Sequence, residues 1–391
     1  MKKSLIALAV AGVFVAPAAM ADVTIYGQAN ASFDRVSEGN ATGSVNGTTN
    51  SQVSSNASRI GFKGSEDLGG GTSAIWQIES GVNLDNSLNA GATSSFANRD
   101  SFVGLSSESM GTVLLGTHDT PYKMASRGLD LFADTIADNR SLMGGGSFNT
   151  AAAIAAATLT TAIAAGGVGA GASFDGRQGN VLAYVSPSMS GFTAAIGYVP
   201  LSETASGSGA LKSSAWSLAG LYGAGPITAN LAYETHDIDS LVGVSGVKES
   251  AYKLGLGYAM DAFAVNFVYE HTKDNIGKAF ALADENTFGH NAYYLGGKFN
   301  VSASDAVKLA YARAGDRHMN GAGSNTSANQ VSLGYDHAMS KRTTVYALYT
   351  RLSNSSASGY ALMNGGTTGG MSSIGLDADP SAWSIGIKHS F

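Results

Sequence analysis

The chain has 391 residues, no cysteine, 51 glycines and only 6 prolines, with a formal charge of −6. Without cysteine there is neither a disulfide framework nor a thiolate metal site. An acidic balance spread over only 13% charged residues argues against a general nucleic-acid-binding surface.

The first 21 residues read as an export signal. Lys2 and Lys3 form a basic start, Leu5 to Val15 an apolar run too short to span a bilayer, and Ala19-Met20-Ala21 a small-x-small cleavage site. The mature chain is expected to begin at Asp22 and, without the two lysines, to carry a charge of −8. No Pro-rich, Ser-rich or charged linker divides the remainder, so 22–391 reads as one domain.

Along that domain the dominant pattern is alternation. In 250–258, Tyr252, Leu254, Leu256 and Tyr258 fall on one side and Lys253, Gly255 and Gly257 on the other. Ala262 to His271 sets Phe263, Val265, Phe267 and Tyr269 against Asn266 and Glu270. At the end, Trp383, Ile385, Ile387, His389 and Phe391 alternate with Ser384, Gly386, Lys388 and Ser390. A period of two is the mark of a β-strand.

The connections are of two kinds. Seven are short and rich in Gly, Ser or Asp: Glu66–Thr72, Ser106–Thr112, Ser186–Gly191, Gly223–Pro226, Met260–Asp261, Val301–Asp305 and Ala338–Arg342. Eight are long and polar, at about 35–56, 85–98, 119–175, 200–213, 237–249, 273–291, 314–328 and 353–380. Fifteen connections join 16 strands, with the short set and both termini on one side. Short turns on one rim and long loops on the other, around an even number of antiparallel strands, are the plan of an outer-membrane barrel. Closure removes the sheet edges and satisfies backbone hydrogen bonds that lipid cannot satisfy. The expected fold is all-β: a closed antiparallel transmembrane barrel with lipid against its apolar face and water inside.

Several segments resemble the Gram-negative porins, of the trimeric general type common in beta-proteobacteria. They are Asp22-Val23-Thr24-Ile25-Tyr26-Gly27 at the mature start, Ser58 to Gly64 with Glu66-Asp67-Leu68-Gly69, Asn98 to Leu105, Gly111 to Gly116, and the ending Ile385 to Phe391. The resemblance spans nearly the whole mature chain. It implies a homotrimer in the outer membrane, acting as a passive channel for small hydrophilic solutes and ions. It implies a third long loop folded into the barrel, and a terminal Phe391 that the barrel-assembly machinery recognises.

For the constriction that such a loop makes, strand parity sends Arg59 and Lys63 inward, opposite Ile60 and Phe62. Arg99 is expected inward from an outward Phe102, and Arg177 precedes the next strand. The facing acids are expected from the third loop: Asp119, Asp130, Asp134 and Asp138, with Lys123 and Arg140 nearby. The last three aspartates are four apart and so would share a helical face. Opposed charges across a narrow aqueous passage tune ion selectivity. The loop departs from the family pattern at 150–173, a longer and more apolar stretch of mostly Ala, Gly and Thr.

Other chemistry is absent from the sequence. None of the seven histidines makes a His-x-x-His or His-Glu-x-x-His pattern, and there is no Gly-x-Ser-x-Gly elbow. Neither an enzyme nor a cofactor is indicated. The alternative to a channel is a barrel acting as adhesin or receptor through its long outer loops.

Overall fold

A computed structural model of the chain describes residues 22–39, 47, 49–85, 96–145, 174–200, 213–237, 239, 245–280, 285–318, 325–363 and 375–391. The segment 1–21 and the Ala/Gly-rich stretch 150–173 lie outside the described residues.

Among the described residues one sheet contains every strand: β1 (Asp22–Ser37), β2 (Thr49–Ser55), β3 (Arg59–Gly69), β4 (Thr72–Gly81), β5 (Ser101–Ser107), β6 (Gly111–Asp119), β7 (Arg177–Val185), β8 (Phe192–Pro200), β9 (Ser214–Ala224), β10 (Ile227–Asp237), β11 (Lys248–Ala259), β12 (Phe263–Asp274), β13 (Asn291–Asn300), β14 (Asp305–Ala314), β15 (Ala328–Ala338), β16 (Thr343–Asn354) and β17 (Ser381–Ser390). Each pairs antiparallel with its neighbour, and β17 returns to β1 from Gln28↔Ser390 to Ser37↔Ser381. Segments β2 and β3 pair in succession with the same edge of β1, so 17 segments make the 16 strands of a closed barrel.

The expected turns fall where the short connections were read. The first long connection is shorter than expected, because β1 continues to Ser37 and β2 resumes at Thr49. Its Gln and Ser residues look like loop in sequence, yet Ser54 and Ser55 are buried polar residues of the barrel.

Alternation separates two faces. On β1, Val23, Ile25 and Phe33 are more than half exposed, whereas Gln28, Asn30, Ser32 and Asp34 are buried. The apolar face is the outward one, as a barrel in lipid requires, and polar groups gather inside. The seam is closed by the last residue: Phe391 and Gly27 exchange backbone hydrogen bonds of 3.0 and 3.1 Å. A Cβ on Gly27 would lie 2.3 Å from the Phe391 ring, so only glycine leaves room for that ring.

Candidate functional site

The inward side of β3 carries Arg59 and Lys63, as parity requires; their neighbours Ile60 and Phe62 share the face of exposed Ile25. The break between β2 and β3, with Ala57 at φ 54°, turns the strand just before Arg59. A bulge of this kind re-aims the side chains beside it. Arg59 Nε lies 3.7 Å from Glu79 of β4, and its Nη1 lies 4.0 Å from Asp134. Glu79 also pairs with Arg99 and accepts from Tyr26 Oη at 2.9 Å. Lys63 Nζ stands 5.3 Å from the centre of the Tyr26 ring.

Glu79 was missed in the sequence, although its alternation with Ile78 in β4 carried the signal. The route to Arg99 also differs from the expectation. Phe102 faces inward, where its ring meets His118 at 5.4 Å, while Val103 and Leu105 point outward. Arg99 precedes β5 in a bend, so its meeting with Glu79 comes from the loop path and not from strand parity.

The aspartates of the third long connection converge, but not on a helix. After a single helical turn, α1 (Pro121–Met124), capped by Thr120 Oγ1, the chain makes irregular turns through 130–138. Asp134 adopts φ 58°, a left-handed conformation that Asp tolerates better than most residues. The expected helical face is therefore corrected to a turn wrapped around Arg127. Its Nη2 lies 2.7 Å from both Asp134 and Asp138, and its Nη1 lies 3.8 Å from Asp130. Arg140 bonds Asp138 at 2.9 Å.

Burial, aided by the nearby Asp138 carboxylate, pushes the Asp130 carboxyl up to about 6. Asp138 is equally buried, but Arg127 and Arg140 outweigh burial and hold its carboxyl well below the usual range.

Asp119 and Arg177 do not join this group. Asp119 ends β6 and pairs across to Arg177 at 2.9 Å, with Lys123 at 2.8 Å and Asp100 on the far side of Arg177 at 2.7 Å. These four form a separate cluster, so Asp119 is not an acid facing Arg59. Further along the inward wall, Lys308 bonds Asp336 at 2.9 Å, and the inward Lys388 of β17 is within electrostatic reach of Asp134, Arg59 and Asp336. Neither lysine was singled out in the sequence.

The segment 120–144 is tied to inward residues around much of the wall. Asn30 donates to Asp134 O at 3.2 Å, Asn230 to Ala125 O at 2.7 Å and Asn266 to Leu129 O at 2.8 Å. Tyr294 Oη accepts from Leu131 N at 2.9 Å. A buried carboxylate, Glu270, holds two distant points of the segment: it accepts from Tyr122 Oη at 2.8 Å and from Gly144 N at 2.7 Å. Lys253, fully buried, bridges Glu270 at 3.3 Å, Asp175 at 2.5 Å and Ser126 Oγ at 3.0 Å. Among the described residues no group of three or more His, Cys, Asp or Glu could hold a metal ion.

The chain matches the family model described as Gram-negative porin over residues 6–357. It is similar to "Outer membrane porin protein 32" of Delftia acidovorans, 31% identical over 400 aligned residues covering all of both chains. A major outer membrane protein P.IA of Neisseria meningitidis is 25% identical, again over the full length of both. Among solved structures, an anion-selective porin from Comamonas acidovorans superposes with a TM-score of 0.69 at 26% identity, covering 95% of this chain and all of that one.

Proposed function

The chain belongs to the Gram-negative porin family, and from that premise we propose how its charges and its third loop govern passage. It is an outer-membrane β-barrel through which small hydrophilic solutes and ions diffuse passively. In our reading the segment 120–145 folds into the barrel and narrows it. Solutes pass beside the point where the loop's turn around Arg127 meets the wall at Arg59, along the wall that carries Lys63 and Arg99. The observation that carries this reading is the approach of Asp134 to Arg59, with the same turn bonded to Asn30 on β1.

Charge at that level favours anions. The wall brings Arg59, Lys63, Arg99, Lys308 and Lys388 against Glu79 and Asp336. The loop adds Arg127 and Arg140 against Asp130, Asp134 and Asp138. Basic groups are in excess, and in a confined aqueous passage wall charge sets the local ion concentration. The Comamonas porin is titled anion-selective, and we extend that preference to this chain. Reversal potentials in a planar bilayer under a potassium chloride gradient test it. A sign reporting anion preference supports the reading, and a cation-selective sign overturns it.

The outward wall bears on assembly. Exposed Tyr and Trp appear from β7 onward, as at Tyr184, Trp216, Tyr222, Tyr233, Tyr252 and Trp383. The exposed apolar residues of β1–β6 include neither type, and Trp76 there is half-buried. Aromatic girdles mark contact with lipid interfaces, so the β1–β6 side suits contact with other copies in a homotrimer and the remaining wall suits lipid. Cross-linking of purified protein in mild detergent checks this; a monomer throughout would refute it.

Residues 1–21 serve, in this proposal, as a cleaved signal peptide, and N-terminal sequencing of outer-membrane protein should begin at Asp22. Phe391 closes the barrel and is read by the assembly machinery. The family and fold are those of channel proteins, and we assign the chain no catalytic role and no cofactor.

A further inference from the structure

Three inward-facing glycines stand directly behind the third loop. A Cβ on Gly334 of β15 would lie 2.7 Å from Phe132 Cε1. On β11, one at Gly255 would lie 2.7 Å from Leu129 Cδ1 and 2.9 Å from the Ala125 carbonyl oxygen, and one at Gly257 would lie 3.0 Å from Leu129 Cδ2. Real Cβ contacts are essentially never as short as those at Gly334 and Gly255, so a side chain there forces something to move, and at Gly257 the neighbour would have to give by a few tenths of an ångström. None of the three has a positive φ. Their backbone is ordinary strand, which any residue can adopt, and glycine weakens a strand interior. Space, rather than conformation, accounts for glycine here. Gly223 of β9, which shares the inward face with Thr228 and Gly257, provides the contrast, since its Cβ would meet nothing within 4 Å.

The side chains that fill these spaces are buried and apolar. Phe132 is 1% exposed and Leu129 is 6% exposed. Both sit at points where the loop backbone is also held, by Asn266 at Leu129 O and by Lys308 at Leu131 O at 3.2 Å. Lys308 Nζ further lies 4.9 Å from the Phe132 ring centre. The loop is thus seated by shape as well as by hydrogen bonds, and close-packed contacts of this kind transmit displacement rather than absorb it.

We propose that Gly255, Gly257 and Gly334 are seats for Leu129 and Phe132 that set how far the third loop stands from the wall, and so determine the size selectivity of the channel. The inference rests on the loop occupying the passage, as argued above. Filling a seat pushes the loop toward the opposite wall and narrows the aperture.

The test is a pairwise cycle with a separate contact readout. Gly334→Leu should lower single-channel conductance and slow uptake of larger sugars in liposome swelling, while Gly223→Ala should leave both unchanged. In a Phe132→Ala background the seat is vacant, and Gly334→Leu should then cost little or no conductance. An equal drop in both backgrounds, or a rise, overturns the proposal, because the leucine would then act without displacing the loop. Should Gly334→Leu fail to fold, Gly334→Ala, whose Cβ already collides with Phe132, serves in its place. The chain has no cysteine, so Phe132→Cys with Gly334→Cys should be joined by a short bifunctional thiol cross-linker whose spacer takes the place of the ring edge, and failure to join refutes the contact. Wild-type protein that is silent in bilayers would defeat the channel reading instead, leaving the thiol cross-link to decide the seats.

Discussion

The barrel wall and the segment 120–145 obey different rules. On the wall each residue's direction follows from its neighbour's: Ile60 outward makes Arg59 inward, and Phe263 outward makes Ala264 inward. In the segment no such period exists, and Asp130, Asp134 and Asp138 meet because turns wrap them around Arg127. The wall's partners are set by register, whereas the loop's partners include side chains far away in sequence, such as Arg59 at Asp134, Ser217 Oγ at Tyr122 N and Lys308 Nζ at Leu131 O. Local period thus builds the wall, and long-range contacts hold the segment against it.

Attacking the wall at its seam should have the largest effect. Deleting Phe391 removes the two backbone hydrogen bonds to Gly27 and the ring that covers it. The amount of protein assembled in the outer membrane should fall severely at matched synthesis, measured by heat-modifiable migration of membrane fractions. Unchanged assembly would show that the seam does not depend on this residue.

Attacking the loop at its anchor comes next. Glu270→Gln leaves the buried Lys253 with one fewer carboxylate and weakens the ties to Tyr122 and Gly144. Breaking a buried ion pair costs about 3–5 kcal/mol, and the retained Asp175 places this variant toward the lower end. The barrel should still form, but with a lower unfolding temperature and noisier open-channel current. A quiet channel of wild-type stability would mean the anchor is dispensable.

A smaller effect separates the two regions by pH. Asp130, raised from 3.8 to about 6 by burial and by Asp138, belongs to the loop. Its folded-state value lies above the unfolded one, so its unfavourable contribution is absent below about 4, grows between 4 and 6, and is complete above 6. As pH falls through 6 the carboxylate is neutralised and anion preference should rise. Asp130→Asn should abolish that step in the reversal potential; a step that persists would assign it to another group.

The same contrast explains what the sequence disclosed. Alternation and turn composition located the strands and the inward Arg59 and Lys63, because direction on a strand is a local property. Phe102 was misread because an inward aromatic in a porin-like barrel breaks the usual apolar-out pattern; it is accommodated beside His118, Leu114 and Val181. The spacing of Asp130, Asp134 and Asp138 fits a helix, but Asp134 in the left-handed region breaks the local path. Glu79, Lys308 and Lys388 stand on strands whose parity could have nominated them. The glycine seats and the Glu270 anchor could not be read from any window, since their meaning lies in the residues brought opposite them by closure of the barrel.

The most direct test of the proposed constriction, opposed charges flanking a narrow passage, neutralises its basic side. Arg59→Gln with Arg99→Gln leaves Glu79 without its two arginine partners while the lumen-facing positions keep their backbone register. Lumen substitutions tune selectivity more than they destabilise a barrel. At low salt the reversal potential should move from anion toward cation preference without loss of conductance, and high salt should shrink the shift because fixed charges are screened. A reversal potential unchanged from wild type at low salt would contradict the account.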